Sequence, residues 1–220
     1  PIRARPGDRG MHMALAEGFI QLRNWFKAPR IRSEEDLAAF LNAQAAFVSQ
    51  KSIVSYCQMK TRLHMADLLK DRPFVVAYER ARWETFEAVL GDLVLIVEGY
   101  LRARVPGEAQ DGVVRALLRV FRSILDRHSP PAHRAEDWGG AVERFKRRLV
   151  QARLAAPLAS EAISSHSAKR AFEVLPIHPD LRLQDADSFE RSIQFLIVAA
   201  IERLERRADW EALIRSLAAG

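Results

Sequence analysis

Two long helix-compatible runs, at residues 34–70 and 73–104, constrain the fold of this chain more than any other feature. Residues 33–36 read Ser-Glu-Glu-Asp, a composition that is typical of a helix start. Pro73 follows the first run and suits the first turn of a new helix, where its missing N–H costs nothing. Because short connections usually join antiparallel helices, the sequence predicts a long antiparallel helical hairpin.

The apolar residues of the second run recur at steps of three and four, which is typical of an amphipathic helix. They are Val76, Trp83, Phe86, Leu90, Leu93, Val97 and Tyr100. We expect Phe86 and Leu90 to contact Phe40 and Phe47 of the first run. Between Leu93 and Val97 the sequence is apolar on every side, so we expect more than one neighbour to bury that turn.

The remaining periodic segments are also helical. They lie at about 11–26, 113–127, 138–156, 158–175 and 188–217, and no run alternates as a β-strand would. We therefore predict an all-α bundle of six to eight helices built around the hairpin 34–70 / 73–104. Residues 1–10 are predicted to be a flexible arm and 11–220 a single domain, with a candidate internal boundary at 105–112.

The chain carries a formal charge of +6, with 34 lysines and arginines against 28 acids. The surplus lies in residues 1–32 and 105–156, and a basic surplus attracts nucleic acid, anionic lipid or an acidic protein surface. Only six of the basic residues are lysines. Because alanine is also abundant, the arginine bias has a second explanation in the base composition of the coding sequence.

The single cysteine, Cys57, excludes an intrachain disulfide and a cysteine-based zinc cluster. No apolar run reaches the ~20 residues that a transmembrane helix needs. No secretory leader follows the N-terminus. We therefore predict a cytoplasmic location without a transmembrane segment.

Motifs of catalysis and of cofactor binding are absent from the sequence. No glutamate stands three residues before a histidine, as a di-iron bundle requires, and no two histidines are four apart, as in helical zinc proteases. The glycine-rich phosphate loops and the G-x-S-x-G motif are missing as well. We predict a protein that is not an enzyme and has no cofactor.

The densest polar cluster contains His128, His133 and Glu136, beside Asp126 and Asp137. Histidine and carboxylate together can hold a divalent metal. Acids beside helix ends also serve as capping charges. His128, His133 and Glu136 are thus candidate metal ligands, and the simpler explanation of the cluster is that its acids are capping charges at the helix ends.

Three hypotheses for function follow. In the first, the bundle is an interaction or adaptor protein that binds a protein partner or forms a homodimer through a helix face. The apolar turn Leu93–Val97 is the reason to expect such a face. In the second, it holds an apolar or anionic small molecule between helices. The candidate lining residues are then Ser52, Ser55, Gln58, Arg80, Arg82 and Trp83.

In the third hypothesis, arginines at helical spacing form an anion-binding surface for nucleic acid or an anionic membrane. The candidates are Arg115, Arg119 and Arg122 on one helix and Arg144, Arg147 and Arg148 on another. Against nucleic acid, the aromatic residues follow core stripes and are not interleaved with the arginines, as base stacking would need.

Overall fold

The structure, a computed structural model, describes residues 29–134 and 137–219, and most of these residues are helical. The helices are α1 (Glu34–Thr61), α2 (Met65–Leu68), α3 (Arg72–Arg102), α4 (Gln110–Asp126), α5 (Gly139–Ala152), α6 (Ser160–Glu173), α7 (Ala186–Arg207) and α8 (Trp210–Ala219). Within those residues no strand forms, and one isolated β-bridge joins Ile31 to Ala208. The predicted all-α bundle is confirmed. The predicted arm at 1–10 and helix at 11–26 lie outside the described residues.

Helix α1 begins at the predicted start, and a capping box forms there. The hydroxyl of Ser33 accepts a hydrogen bond from the backbone N–H of Asp36 at 3.1 Å. In return the carboxylate of Asp36 accepts from the backbone N–H of Ser33 at 3.1 Å. This exchange satisfies two N–H groups that a helix start leaves without partners.

Replacing Ser33 with alanine is expected to lower the free energy of unfolding by about 1 kcal/mol, because the N–H of Asp36 loses its acceptor. Urea denaturation followed by circular dichroism measures the change. Ser192→Ala is the control, since that exposed hydroxyl only donates to the carbonyl of Ser188 within its own helix. Equal losses in the two variants would show that the cap contributes nothing specific.

The first long run does not stay helical to residue 70, and this part of the prediction is wrong. Helix α1 ends at Thr61, and Arg62 adopts a left-handed conformation with φ of 58°. Leu63, like Met59 and Leu69, is exposed. Because helices in proteins depend on packing of an apolar face, an extended α1 would gain little here. The short helix α2 and the loop around it take its place.

The hairpin of α1 and α3 is antiparallel, because the start of α1 and the end of α3 both meet helix α8. The backbone N–H of Glu34 donates to the hydroxyl of Ser216 at 3.1 Å. Near the end of α3, the ring of Tyr100 stacks on that of Trp210, the first residue of α8, with centroids 5.8 Å apart. Pro73 occupies the first turn of α3, as predicted.

Three of the four side chains predicted to join the hairpin are buried, namely Phe40, Phe86 and Leu90. The prediction is wrong for Phe47, which is 46% exposed. Its neighbour Val48 faces the core instead, and on a helix adjacent residues point about 100° apart. The stripe of α3 also begins later than predicted, since Val76 is exposed.

The apolar turn of α3 from Leu93 to Val97 is buried by other helices of the same chain. Helices α1, α4 and α6 all pack against α3, and Leu93 and Val97 have no exposed surface. Ile31–Gly220 form one compact unit. The segment 105–112 lies inside it as the connection to α4, with a 3-10 helix at Gly107–Ala109.

Candidate functional site

Four carboxylates of α3 are almost completely removed from solvent. The side chains of Glu84, Glu87, Asp92 and Glu98 are 11%, 12%, 0% and 4% exposed. A charge is buried at high cost unless an opposite charge and hydrogen bonds accompany it. Each of these carboxylates pairs with at least one arginine from outside α3. Glu98 pairs in addition with Arg102, which belongs to α3.

Glu84 is the centre of the densest group of ion pairs. Its carboxylate oxygens lie 3.0 Å from Arg134, 2.8 Å from Arg170 and 2.9 Å from the ring of His133. Burial raises the pKa of Glu84, but the hydrogen bond from Arg170 and the charge of Arg134 outweigh it and lower the pKa to about 2. Arg134 also pairs with Glu87, so one guanidinium holds two carboxylates.

Asp92 pairs with Arg148 of α5 and accepts a hydrogen bond from the backbone N–H of Ser167 on α6 at 2.9 Å. One fully buried carboxylate thus joins three helices. Burial raises the pKa of Asp92 to about 6, although the charge of Arg148 acts against that rise. At neutral pH the pair is therefore still ionised.

A cleft of about 1130 Å³ opens above these pairs, between α3, α5 and α6. Its lining contains three carboxylates, from Glu84, Glu87 and Asp137. The lining also contains six arginines: Arg80, Arg134, Arg144, Arg147, Arg148 and Arg170. The positive charge exceeds the negative charge, and this arginine cleft is the candidate functional site.

The side chains of Arg80 and Arg147 have no ion pair or hydrogen bond with any described residue, whereas the other four arginines are paired. Arg144, for example, lies 2.7 Å from Glu87. Both unpaired residues are exposed. An unpaired guanidinium keeps its full charge and all five N–H donors for a ligand. These two side chains therefore have more unengaged N–H donors than the paired arginines of the cleft.

His166 of α6 is a neutral polar group on the wall of the arginine cleft. Partial burial lowers the pKa of His166 to about 4, and the positive charge of Arg148 contributes to the decrease. At neutral pH the ring therefore carries no charge and offers one donor and one acceptor.

Aromatic rings form the base of the cleft but present almost no face to it. Phe121 and Phe145 stack on each other with centroids 4.1 Å apart. Both are buried, at 1% and 4% exposure. Gly91 lies against this pair, and a Cβ atom there would be 3.4 Å from the ring of Phe145. Among its described lining residues, the cleft thus presents charged groups and no exposed phenylalanine, tyrosine or tryptophan ring.

The structure brings together residues that the sequence assigned to two separate hypotheses. Arg80, from the ligand-pocket set, and Arg144, Arg147 and Arg148, from the anion-surface set, all line the arginine cleft. The other anion candidates lie on α4, away from it. Arg119 pairs with Glu34 at 2.9 Å, Arg122 lies 3.5 Å from Asp126, and Arg115 is exposed.

The other pocket candidates are not part of the arginine cleft. Ser52 is buried and donates to the carbonyl of Val48 in its own helix at 2.7 Å; Ser55 is exposed and Gln58 is half-buried. Arg82 pairs with Glu79 and stacks over the ring of Trp83. Trp83 in turn packs against Phe86, His128 and Trp138.

The two described candidate metal ligands, His128 and His133, make separate contacts. His128 is hydrogen-bonded to Asn42 at 2.8 Å, His133 contacts Glu84, and Glu136 lies outside the described residues. Across the two described ranges, no group of three or more histidine, cysteine or carboxylate side chains is placed to hold a metal ion.

Sequence reasoning missed Arg134, Arg170, His166 and the carboxylates of α3. The carboxylates left a signal, because Asp92 directly precedes the apolar turn Leu93–Val97 and a charge in such a place needs a partner. No comparable signal marks Arg134 and Arg170, which are 36 residues apart by their numbers. Only the packing of their segments against α3 brings them to the same carboxylate.

The sequence suggested a protein-binding face because the turn Leu93–Val97 is apolar on every side. Leu93 and Val97 are buried within the chain, so this turn no longer supports that hypothesis. Large exposed apolar residues do occur near the α1–α3 connection: Met59, Leu63, Leu69 and Val76. Nothing in the structure shows what covers them, and a protein partner stays a prediction. Among the described helices, none is both long and apolar enough to cross a membrane.

Comparison of the chain with models of protein families, with curated proteins and with solved structures finds no match. The geometry and charge of the arginine cleft are therefore the basis for the function proposed below.

Proposed function

We propose that this protein is a binding module for an anionic ligand, which it holds in the arginine cleft. The observation that carries the proposal is that Arg80 and Arg147, which both line the cleft, are unpaired among the described residues. Guanidinium groups match the geometry of phosphate and carboxylate oxygens and donate two hydrogen bonds at once.

The paired arginines support the same function. Arg134, Arg144 and Arg170 are fixed by Glu84 and Glu87, so their remaining N–H groups are already oriented before a ligand arrives. A binding site formed in advance loses less entropy when the ligand binds. None of the described lining residues carries a hydroxyl or thiol group, so we propose binding without covalent chemistry.

Substituting Arg147 with alanine is expected to weaken the binding of pyrophosphate about tenfold or more, because charge-assisted hydrogen bonds are lost. Isothermal titration calorimetry of the full chain measures this. The affinity of the wild type should also fall as salt is added.

Lys146→Ala is the matched control for Arg147→Ala. It removes the same charge from the adjacent residue of α5, which is exposed and does not line the cleft. Pyrophosphate should bind this control as it binds the wild type. If both variants lose affinity equally, or if neither pyrophosphate nor citrate binds the wild type, the cleft is not an anion site.

A further inference from the structure

The two unpaired arginines lie at opposite ends of the arginine cleft. The pairs Glu87–Arg144 and Asp92–Arg148 set α3 and α5 side by side in the same direction. Arg147 therefore lies level with about Gly91 of α3, eleven residues beyond Arg80. At 1.5 Å per residue, roughly 16 Å of helix axis separate the two positions. A span of this length favours a ligand longer than one phosphate or carboxylate group.

The surface between these ends offers hydrogen-bond donors with little net charge. Arg134, Arg144 and Arg170 lie here, and Glu84 and Glu87 neutralise part of their charge. A guanidinium has five N–H donors, and these ion pairs leave several of them unused. The cleft thus has an unpaired arginine near each end and partly neutralised arginines between them.

We propose that the ligand is an extended oligoanion, a linear oligophosphate chain long enough to contact Arg80 and Arg147 at once; this rests on the proposed function. A chain of phosphates carries charge at short, regular intervals and can follow the row of arginines. Single-stranded nucleic acid is recognised largely by stacking of its bases on aromatic rings. The rings of Phe121 and Phe145 are buried, and the other aromatic rings among the described lining residues are the imidazoles of His133 and His166. The cleft therefore favours an anion without bases.

The proposal is tested by measuring how affinity depends on chain length. Orthophosphate, tripolyphosphate, long-chain polyphosphate and a thymidine oligonucleotide are titrated into the wild type at about 0.15 M salt, where long-range attraction is screened. We expect long-chain polyphosphate to bind at least about a hundredfold more tightly than orthophosphate, because joining two contacts makes the second intramolecular.

Arg80→Gln and Arg147→Gln should each weaken long-chain binding about tenfold or more. In the double variant Arg80→Gln/Arg147→Gln, the preference for long chains should largely disappear. The matched control is Arg72→Gln/Lys146→Gln, which removes the same net charge from exposed positions of α3 and α5 outside the cleft. Circular dichroism and thermal melting confirm that each variant is folded.

Two outcomes overturn the oligophosphate proposal and leave the proposed function standing. One is that orthophosphate binds as tightly as the long chain, or that only one of the two arginines matters, which indicates a site for a single anion. The other is that the oligonucleotide binds more tightly than polyphosphate, which indicates nucleic acid. If no anion depends on the cleft arginines, both the oligophosphate proposal and the proposed function fail.

Discussion

Arg148→Met is expected to lower the free energy of unfolding by about 3–5 kcal/mol at about pH 8, because it leaves a buried carboxylate without its cation. Asp92 is 0% exposed, and after the substitution Ser167 is its remaining hydrogen-bond partner. Arg147→Met is the control on the neighbouring residue. That side chain is exposed and unpaired among the described residues, so its loss should change stability by no more than about 0.5 kcal/mol.

The destabilisation by Arg148→Met should depend on pH in a definite direction. Burial already raises the pKa of Asp92 to about 6, above its usual 3.8, and loss of Arg148 raises it further. A folded-state pKa above the unfolded value means that stability falls as pH rises through that window. The loss should therefore be smaller at about pH 5, where Asp92 takes up a proton, than at about pH 8.

A second substitution separates the charge effect from lost packing. Asp92→Asn keeps an oxygen that can accept the hydrogen bond from Ser167 but removes the charge. The double variant Asp92→Asn/Arg148→Met should recover at least half of the stability lost in Arg148→Met, as judged by urea denaturation. No recovery, together with a loss that is independent of pH, would mean that Arg148 stabilises the protein through its methylene groups alone.

Local sequence patterns were sufficient for the helices and for most of the core, since these depend on residues three and four apart. Ser33 and Pro73 stand at the helix starts that their chemistry favours. The break at Arg62 left no such pattern. Residues on both sides of it are compatible with a helix, and the end of α1 reflects how little apolar surface is available to pack there.

The arginine cleft was only half predictable, because spacing shows which residues share a helix face but not what that face meets. Arg115, Arg119 and Arg122 lie at helical spacing on α4 and pair with no carboxylate of α3, whereas Arg144 and Arg148 of α5 each pair with one. The difference arises from the register between α3 and α5, which Glu87 and Asp92 determine through ion pairs. Such long-range pairs are not visible within a single helical segment.

Glu84→Gln is expected to change stability and anion binding in opposite directions. The difference between the usual pKa of 4.5 and about 2 for Glu84 corresponds to about 3 kcal/mol. Because the pKa is lowered, this contribution is fully present above about pH 4.5 and disappears as the pH falls through 2. Urea denaturation should show a difference of about 3 kcal/mol from the wild type at pH 7 and a much smaller one near pH 2.

The same substitution should strengthen anion binding several-fold, since it raises the net charge of the cleft, while Glu87 still orients Arg134 and Glu173 still orients Arg170. Pyrophosphate titration of Glu84→Gln at pH 7 measures this effect. Glu79→Gln is the control, because Glu79 pairs with Arg82 on the half-exposed surface of α3, outside the cleft, and surface ion pairs contribute little. A variant that is less stable but binds pyrophosphate no better would indicate that Arg134 and Arg170 serve the fold only, and that Arg80 and Arg147 alone bind the ligand.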